Sequence, residues 1–448
     1  MYTLSSRLKL TAIIFMVVGA IGLVYGFIAA PDTIEDVKEM MAADAHDGPE
    51  EVAVLENDAH LANPEPTEGH DATVGEAGHD NEHYEHILHQ LQNKPWAAVY
   101  IAAFFFFMIA LGTMAFYALQ QASQAGWSPV LFRVMDGITA YLLPGSIIMF
   151  ILLALSGFHF NHLFTWMDPE VVAHDELIQN KTAYLNVPFL LIRAAIYIAG
   201  WNIFRYLIRR NSLRLDEATD DRLHKTNFKL AAGFLVFFLV TESMMSWDWI
   251  MSVDPHWFST LFGWYVFSSL IVSAVTMIAL VSIYLKSRGY LEYVNDSHIH
   301  DLAKYMFGFS IFWAYLWFSQ YMLIWYSNIP EEVTYFITRI EDYNLPFFGM
   351  VVLNFVFPVL LLMNSDYKRI NLFVIISGII ILCGHYLDIF VMIMPATVGE
   401  SWFIGIPEIS ALLLFSGLFV FVVFRGLTKA PLLPKRNPFI EESKHFHY

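Results

Sequence analysis

The sequence predicts an all-α integral membrane protein of about ten transmembrane helices, with one long acidic loop after the first. Three observations predict it. Of 448 residues, 57% are hydrophobic and only 15% charged, where soluble chains carry about 25% charge. The apolar residues fall into ten runs near the ~20 residues that a helix needs to cross hydrocarbon. Nearly all of the formal charge of -17 lies in one segment, 31–94, which holds 17 acidic residues against two basic ones, Lys38 and Lys94. This composition excludes an ordinary water-soluble enzyme. A single cysteine, Cys383, excludes an internal disulfide, a cysteine-ligated iron–sulfur cluster and the C-x-x-C-H attachment of a c-type haem.

The first run, 10–30, follows Arg7 and Lys9 as a signal peptide would. It is longer than a usual signal core, so 1–30 reads as a retained transmembrane anchor. Segment 31–94 has scattered Gly and Pro and no apolar stripe until about Tyr84, and reads as a solvated loop. It contains seven of the 17 histidines: His46, His60, His70, His79, His83, His86 and His89. Imidazoles suit zinc, copper or nickel, but these spacings lack the regularity of a metal site. A docking or spacer role is the better reading, and no metal site is assigned. If HYEHILHQ is helical, His83 and His86 occupy neighbouring helical positions.

The other nine runs, at 96–119, 138–158, 187–208, 230–251, 260–285, 305–327, 346–363, 370–394 and 409–424, make a nine-helix membrane domain over 95–427, with a tail at 428–448. Basic residues test the count, because loops on the cytoplasmic side are enriched in Lys and Arg. With the N-terminus inside, 20 of the 25 basic residues fall in inner segments. Four fall outside, Lys38, Lys94, Lys181 and Arg339, and Arg193 lies within a span. This bias predicts cytoplasmic termini and an external acidic loop.

Ionisable groups inside a bilayer are costly, roughly 2.5–3.5 kcal/mol each on insertion scales, and mark function by default. Five occur here: Arg193 in the fourth span, Glu242 and Asp248 in the fifth, His385 and Asp388 in the ninth. His385 and Asp388 are three apart and share a helix face, so the carboxylate is placed to orient the imidazole as a proton acceptor. All five fall in the middle or outer half, which predicts one polar pocket opening outward. The alternative is structural pairing, with Arg193 matched to Glu242 or to Asp248. After the third span, His159, His162, Trp166, Asp168 and His174 either line a quinone headgroup pocket or are ordinary interfacial residues. The four tryptophans of 243–267 read as an interfacial belt.

Only His385 lies squarely inside a span, which argues against a bis-histidine haem. Phosphate-loop, dinucleotide and nucleophile-elbow motifs are absent. Pro144, Pro358 and Pro395 interrupt helices as in transporters, yet the halves show no convincing repeat. A stand-alone ion or solute transporter and a purely structural scaffold are therefore the competing classes.

The segment TESMMSWDWIMSVDPHWFSTLFGWYVFSSL (241–270), with GFHFNHLFTWMDP (157–169), NKTAYLNVPFLLIRAAIYI (180–198) and the ten-span plan, resembles the polysulfide-reductase (NrfD-like) integral membrane family. Within it, the likeness is to the ActF-type membrane subunits of alternative complex III. The resemblance implies paired four-helix bundles and a place in a quinol:cytochrome c oxidoreductase, with proton movement through polar residues of the bundles. It implies no cofactor on this chain: haem c and iron–sulfur clusters reside on partner subunits, beside a sister NrfD-like subunit, and electrons pass to a c-type cytochrome or a terminal oxidase. Carried onto this sequence, Glu242, Asp248, His385 and Asp388 become proton-path candidates with Arg193 as electrostatic partner, and His159, His162 and Asp168 match the region of the quinone pocket. In that family the quinol site beside the iron–sulfur cluster is associated with the sister subunit.

Overall fold

The computed structural model describes residues 2–47 and 76–447, the side chains of 41–47, 76–83 and 86 excepted. Among the described residues ten helices are long and apolar enough to cross a membrane: α1 Ser6–Ile28, α2 Ile87–Ala122, α3 Pro129–Gly157, α4 Val187–Leu215, α5 Arg222–Val253, α6 Phe262–Ser287, α7 Asp296–Ser327, α8 Asn344–Leu362, α9 Asn371–Val398 and α10 Ile406–Leu427. The chain is thus an all-α membrane protein of the predicted class.

Local chemistry sets several of the starts. The Asn186 side chain accepts the Phe189 N–H at the head of α4, with Pro188 in its first turn. Asn295 accepts from Ser297 and His298 at the head of α7, while His298 Nδ1 accepts the Asn295 N–H in return. The α8 helix opens into a π-helical turn over Val352–Val356, a departure often found beside functional residues.

Helices α2, α3, α4 and α5 close a ring in which each packs on two others, and α6, α7, α8 and α9 close a second ring. Helix α2 packs on α6, α9 and α10 as well, and its most apolar stretch is almost wholly buried, because it fills the seam between the rings. Helix α1 is mostly exposed and lies along α10. Small residues permit this: a Cβ on Gly19 would stand 2.5 Å from the Leu414 backbone nitrogen, and one on Gly417 2.6 Å from the Ala12 carbonyl. Gly19→Leu is therefore expected to pry α1 from α10 at about 1–3 kcal/mol. Cross-linking between cysteines placed on the two helices should fall sharply, and unchanged cross-linking would refute this packing.

Both termini lie on one face. Thr3 meets Tyr290 between α6 and α7, and the Phe446 carbonyl accepts from Asn295. Two basic residues of this face are pinned inward, Arg133 on Asp216 at 2.6 Å and Arg209 on the buried Asp136.

Two sequence readings need correction. The 31–94 segment is helical at both ends, over Ile34–Asp47 and from Glu76, where the helix runs unbroken into α2 and on past Lys94 and Pro95, so the expected boundary at 94/95 falls inside a helix. The first of these helices has a reciprocal cap: the Asp36 carboxylate accepts the Thr33 N–H at 2.9 Å and Thr33 Oγ1 accepts the Asp36 N–H at 3.3 Å, with Glu35 and Asp36 at the positive helix end. The Lys38 ammonium lies over the Tyr84 ring, linking the two ends of the segment. His60 and His70 lie outside the described residues, as do the side chains of His46, His79, His83 and His86.

Candidate functional site

The five intramembrane ionisable groups do not form the single pocket that their common depth predicts. They form two separate sets, one in each ring, with Glu242 apart from both.

In the first ring α4 presents Arg193 and α5 presents Asp248. Arg193 Nε and Nη2 donate to Asp248 Oδ2 and Oδ1, both at 2.8 Å, and Tyr197 donates a third bond at 3.2 Å. The remaining guanidinium edge donates to the Tyr184 carbonyl, and the plane lies 3.9 Å from the Tyr184 ring centre. Both residues are buried. The fork satisfies both carboxylate oxygens, the geometry of a structural clamp. Arg193 selects Asp248 over Glu242 by depth: six residues along a helix are about 9 Å. Glu242 is left 2% exposed with no hydrogen-bond partner at Oε1.

In the second ring Asp388 and His385 from α9 meet α6 and α7. The Tyr265 hydroxyl donates to Asp388 Oδ1, and Trp313 Nε1 donates to Oδ2 at 2.9 Å. His385 Nδ1 shares a 2.8 Å hydrogen bond with the Ser269 hydroxyl and lies 3.5 Å from Asp388 Oδ2. The hydroxyl, not the carboxylate, is thus its direct partner. Four residues separate Tyr265 from Ser269 and three separate His385 from Asp388, so each helix turns both of its residues to one side. His385 Nε2 is buried and has no hydrogen-bond partner. Beside it α9 carries Gly384 against the π-turn of α8, where an added Cβ would stand 2.2 Å from Asn354 Oδ1. Gly384→Ala is expected to cost about 1–3 kcal/mol, and adding Asn354→Ala should recover most of it in thermal denaturation. Failure of that rescue would mean that the contact with Asn354 is not what excludes a side chain.

From Asp388 a narrow cavity lined by Tyr265, Gln320 and Tyr335 leads to Arg339. The sequence places Arg339 in an external loop, but it is only 3% exposed, on the helix Pro330–Glu341. Its Nε donates to the Val391 carbonyl at 3.1 Å. That carbonyl is available because Pro395, four residues on, has no N–H to offer it. Tyr335 lies under the guanidinium at 3.3 Å and stacks on Trp257 at 3.8 Å, closing this end. Of the other basic residues assigned outside, Lys94 is buried over the Phe403 ring and Lys181 donates to the Pro255 carbonyl.

His159, His162 and Asp168 line one cavity of about 540 Å³ at the face opposite the termini, together with His89, Asn93 and Asn161. Local structure accounts for part of their placement. His159 takes a left-handed φ of 61° that ends α3, the His162 backbone exchanges two bonds with the Asn93 side chain, and Asp168 caps the helix Pro169–His174. The rings of His89 and His162 are 5.7 Å apart. Trp166 is buried nearby, and His174 binds back to the Glu170 carbonyl. On the same face Asp175 is held below the usual carboxylate range by the Ile178 N–H and by His256. Among the described residues no group of three His, Cys, Asp or Glu side chains is placed to hold a metal ion.

No family profile matches the chain, and no curated protein matches it significantly in sequence.

Sequence reasoning missed Tyr265, Ser269 and Trp313. The first two carried a signal, a hydroxyl pair at helical spacing on the apolar α6. Trp313 carried none, because its indole finds Asp388 only when α7 packs against α9.

Proposed function

We propose that the chain is a cofactor-free membrane subunit of a respiratory quinol:cytochrome c, or quinol:oxidase, electron-transfer complex, and that its second ring carries protons. The observation that supports this most is the fully buried Tyr265–Asp388–His385–Ser269 set with an unpartnered imidazole nitrogen. A bundle held only by packing has no need of such a set, and its cost is repaid when the groups exchange a proton. His385 is the acceptor, Asp388 stabilises the protonated ring, and Tyr265 and Trp313 hold the carboxylate in place. Glu242 is a second proton-binding position, whereas Arg193 and Asp248 act as a clamp.

In this reading the protein sits in a bacterial cytoplasmic membrane with its termini inside and 31–94 outside. Its partners are a sister NrfD-like subunit, an iron–sulfur protein and c-type cytochromes. The inward-turned Arg339, Lys94 and Lys181 support that orientation, because three of the four exceptions to the charge rule are satisfied by the protein itself. The cavity at His159, His162 and Asp168 is the candidate quinol-side pocket. Purification from the native membrane in mild detergent tests the assignment. Co-elution with haem and iron–sulfur absorbance is expected, and a colourless monomer that transports a solute would overturn it. Such a transporter is the second reading, favoured by the π-turn in α8 beside the buried set and by the proline inside α9, Pro395.

A further inference from the structure

A crevice of about 360 Å³ lies between α9 and α10, away from the sites described above, with Phe105 and Phe106 of α2 at its back. Its walls are apolar, and its rim residues Ile404 and Ile409 are each 51% exposed, so it opens sideways onto the bilayer. One charged residue lines it. Glu408, in the first turn of α10, is only 3% exposed. Capping its own helix uses one carboxylate oxygen, Oε2, which accepts the Gly405 N–H at 2.8 Å. The other, Oε1, is buried without a hydrogen-bond partner. A buried carboxyl oxygen calls for a donor, and no protein group meets Oε1 in hydrogen-bonding geometry. Lys94 lies close enough to interact electrostatically with Glu408, its ammonium 3.2 Å from the Phe403 ring centre. This end of the crevice is at the depth of lipid headgroups: Trp96 packs on Phe27 at the end of α1, and the Trp402 indole donates to the Asp342 carbonyl.

We propose that the crevice is a binding site for one phospholipid with a primary-amine headgroup. The ammonium donates to Glu408 Oε1, the phosphate faces Lys94, and an acyl chain fills the groove along Tyr386 and Leu412. The opposite charges of Glu408 and Lys94 match a zwitterionic head, and the carboxylate disfavours an anionic lipid that offers only hydroxyl donors. The lipid site does not depend on proton transfer in the second ring.

The test is quantitative lipid mass spectrometry of the purified complex after exhaustive detergent washing. About one amine-headed phospholipid per chain is expected to survive in the wild type. Glu408→Gln keeps a carbonyl for the Gly405 N–H but loses the charge, and retention should fall about tenfold. Leu412→Trp, which fills the groove without touching the cap, should release the same lipid. Retention of phosphatidylglycerol or of a hydroquinone instead, no stoichiometric lipid in the wild type, or undiminished retention in both variants would each overturn the proposal.

Discussion

Arg193→Met is expected to destabilise the protein by about 3–5 kcal/mol, because it strands a buried charge. Asp248 has no exposure, and two of its hydrogen bonds come from the guanidinium. Removing the arginine leaves an uncompensated carboxylate inside the first ring, supported by neutral hydroxyls such as that of Tyr197. The penalty comes from the charge left behind rather than from the net worth of the pair, so the double variant Arg193→Met, Asp248→Leu should regain most of the loss. Folded yield and thermal denaturation in detergent measure both variants. A single variant as stable as the wild type would show that Asp248 does not depend on the guanidinium, and a double variant as poor as the single would show that the loss does not come from the stranded charge.

Asp388→Asn is expected to have the opposite profile, with little effect on folding and a large one on proton transfer. The amide keeps a carbonyl oxygen for the Trp313 indole and nearly the same volume. It cannot stabilise a protonated His385, whose Nδ1 lies 3.5 Å from the carboxylate and whose Nε2 has no other buried partner. Tyr265→Phe should cause a smaller version of the same defect, since it removes one of the two donors that hold Asp388. Glu242→Gln removes a carboxyl that makes no bond through Oε1 and should leave stability unchanged or raised. A loss of folded protein in that variant would mean that Glu242 is a structural partner rather than a proton-binding position.

Hydropathy makes the ten helices legible because each must hide its backbone in hydrocarbon, a constraint that acts on every residue of a span. It also singles out Arg193, Glu242, Asp248, His385 and Asp388, since a charge in such a run is conspicuous. Their partners are not legible in the same way. Depth along the chain can be counted, but rotation about the helix axis and the identity of the facing helix cannot. That is why residues of similar depth suggest one pocket where packing makes two sets. Arg339 is misplaced by sequence for a related reason: the helix Pro330–Glu341 folds it inward onto a carbonyl that Pro395 frees, and neither segment alone announces the other. The cap at Thr33 and Asp36 is written in the sequence, but it sits in a segment whose composition argues for a loop.

The most direct test of the proposed proton role is the proton-to-electron ratio of the reconstituted complex in sealed vesicles, wild type against Asp388→Asn. The ratio is expected to drop to the protons released by quinol oxidation itself, while quinol turnover in detergent stays near wild type. An unchanged ratio with unchanged turnover would contradict the proton role and leave the second ring a scaffold.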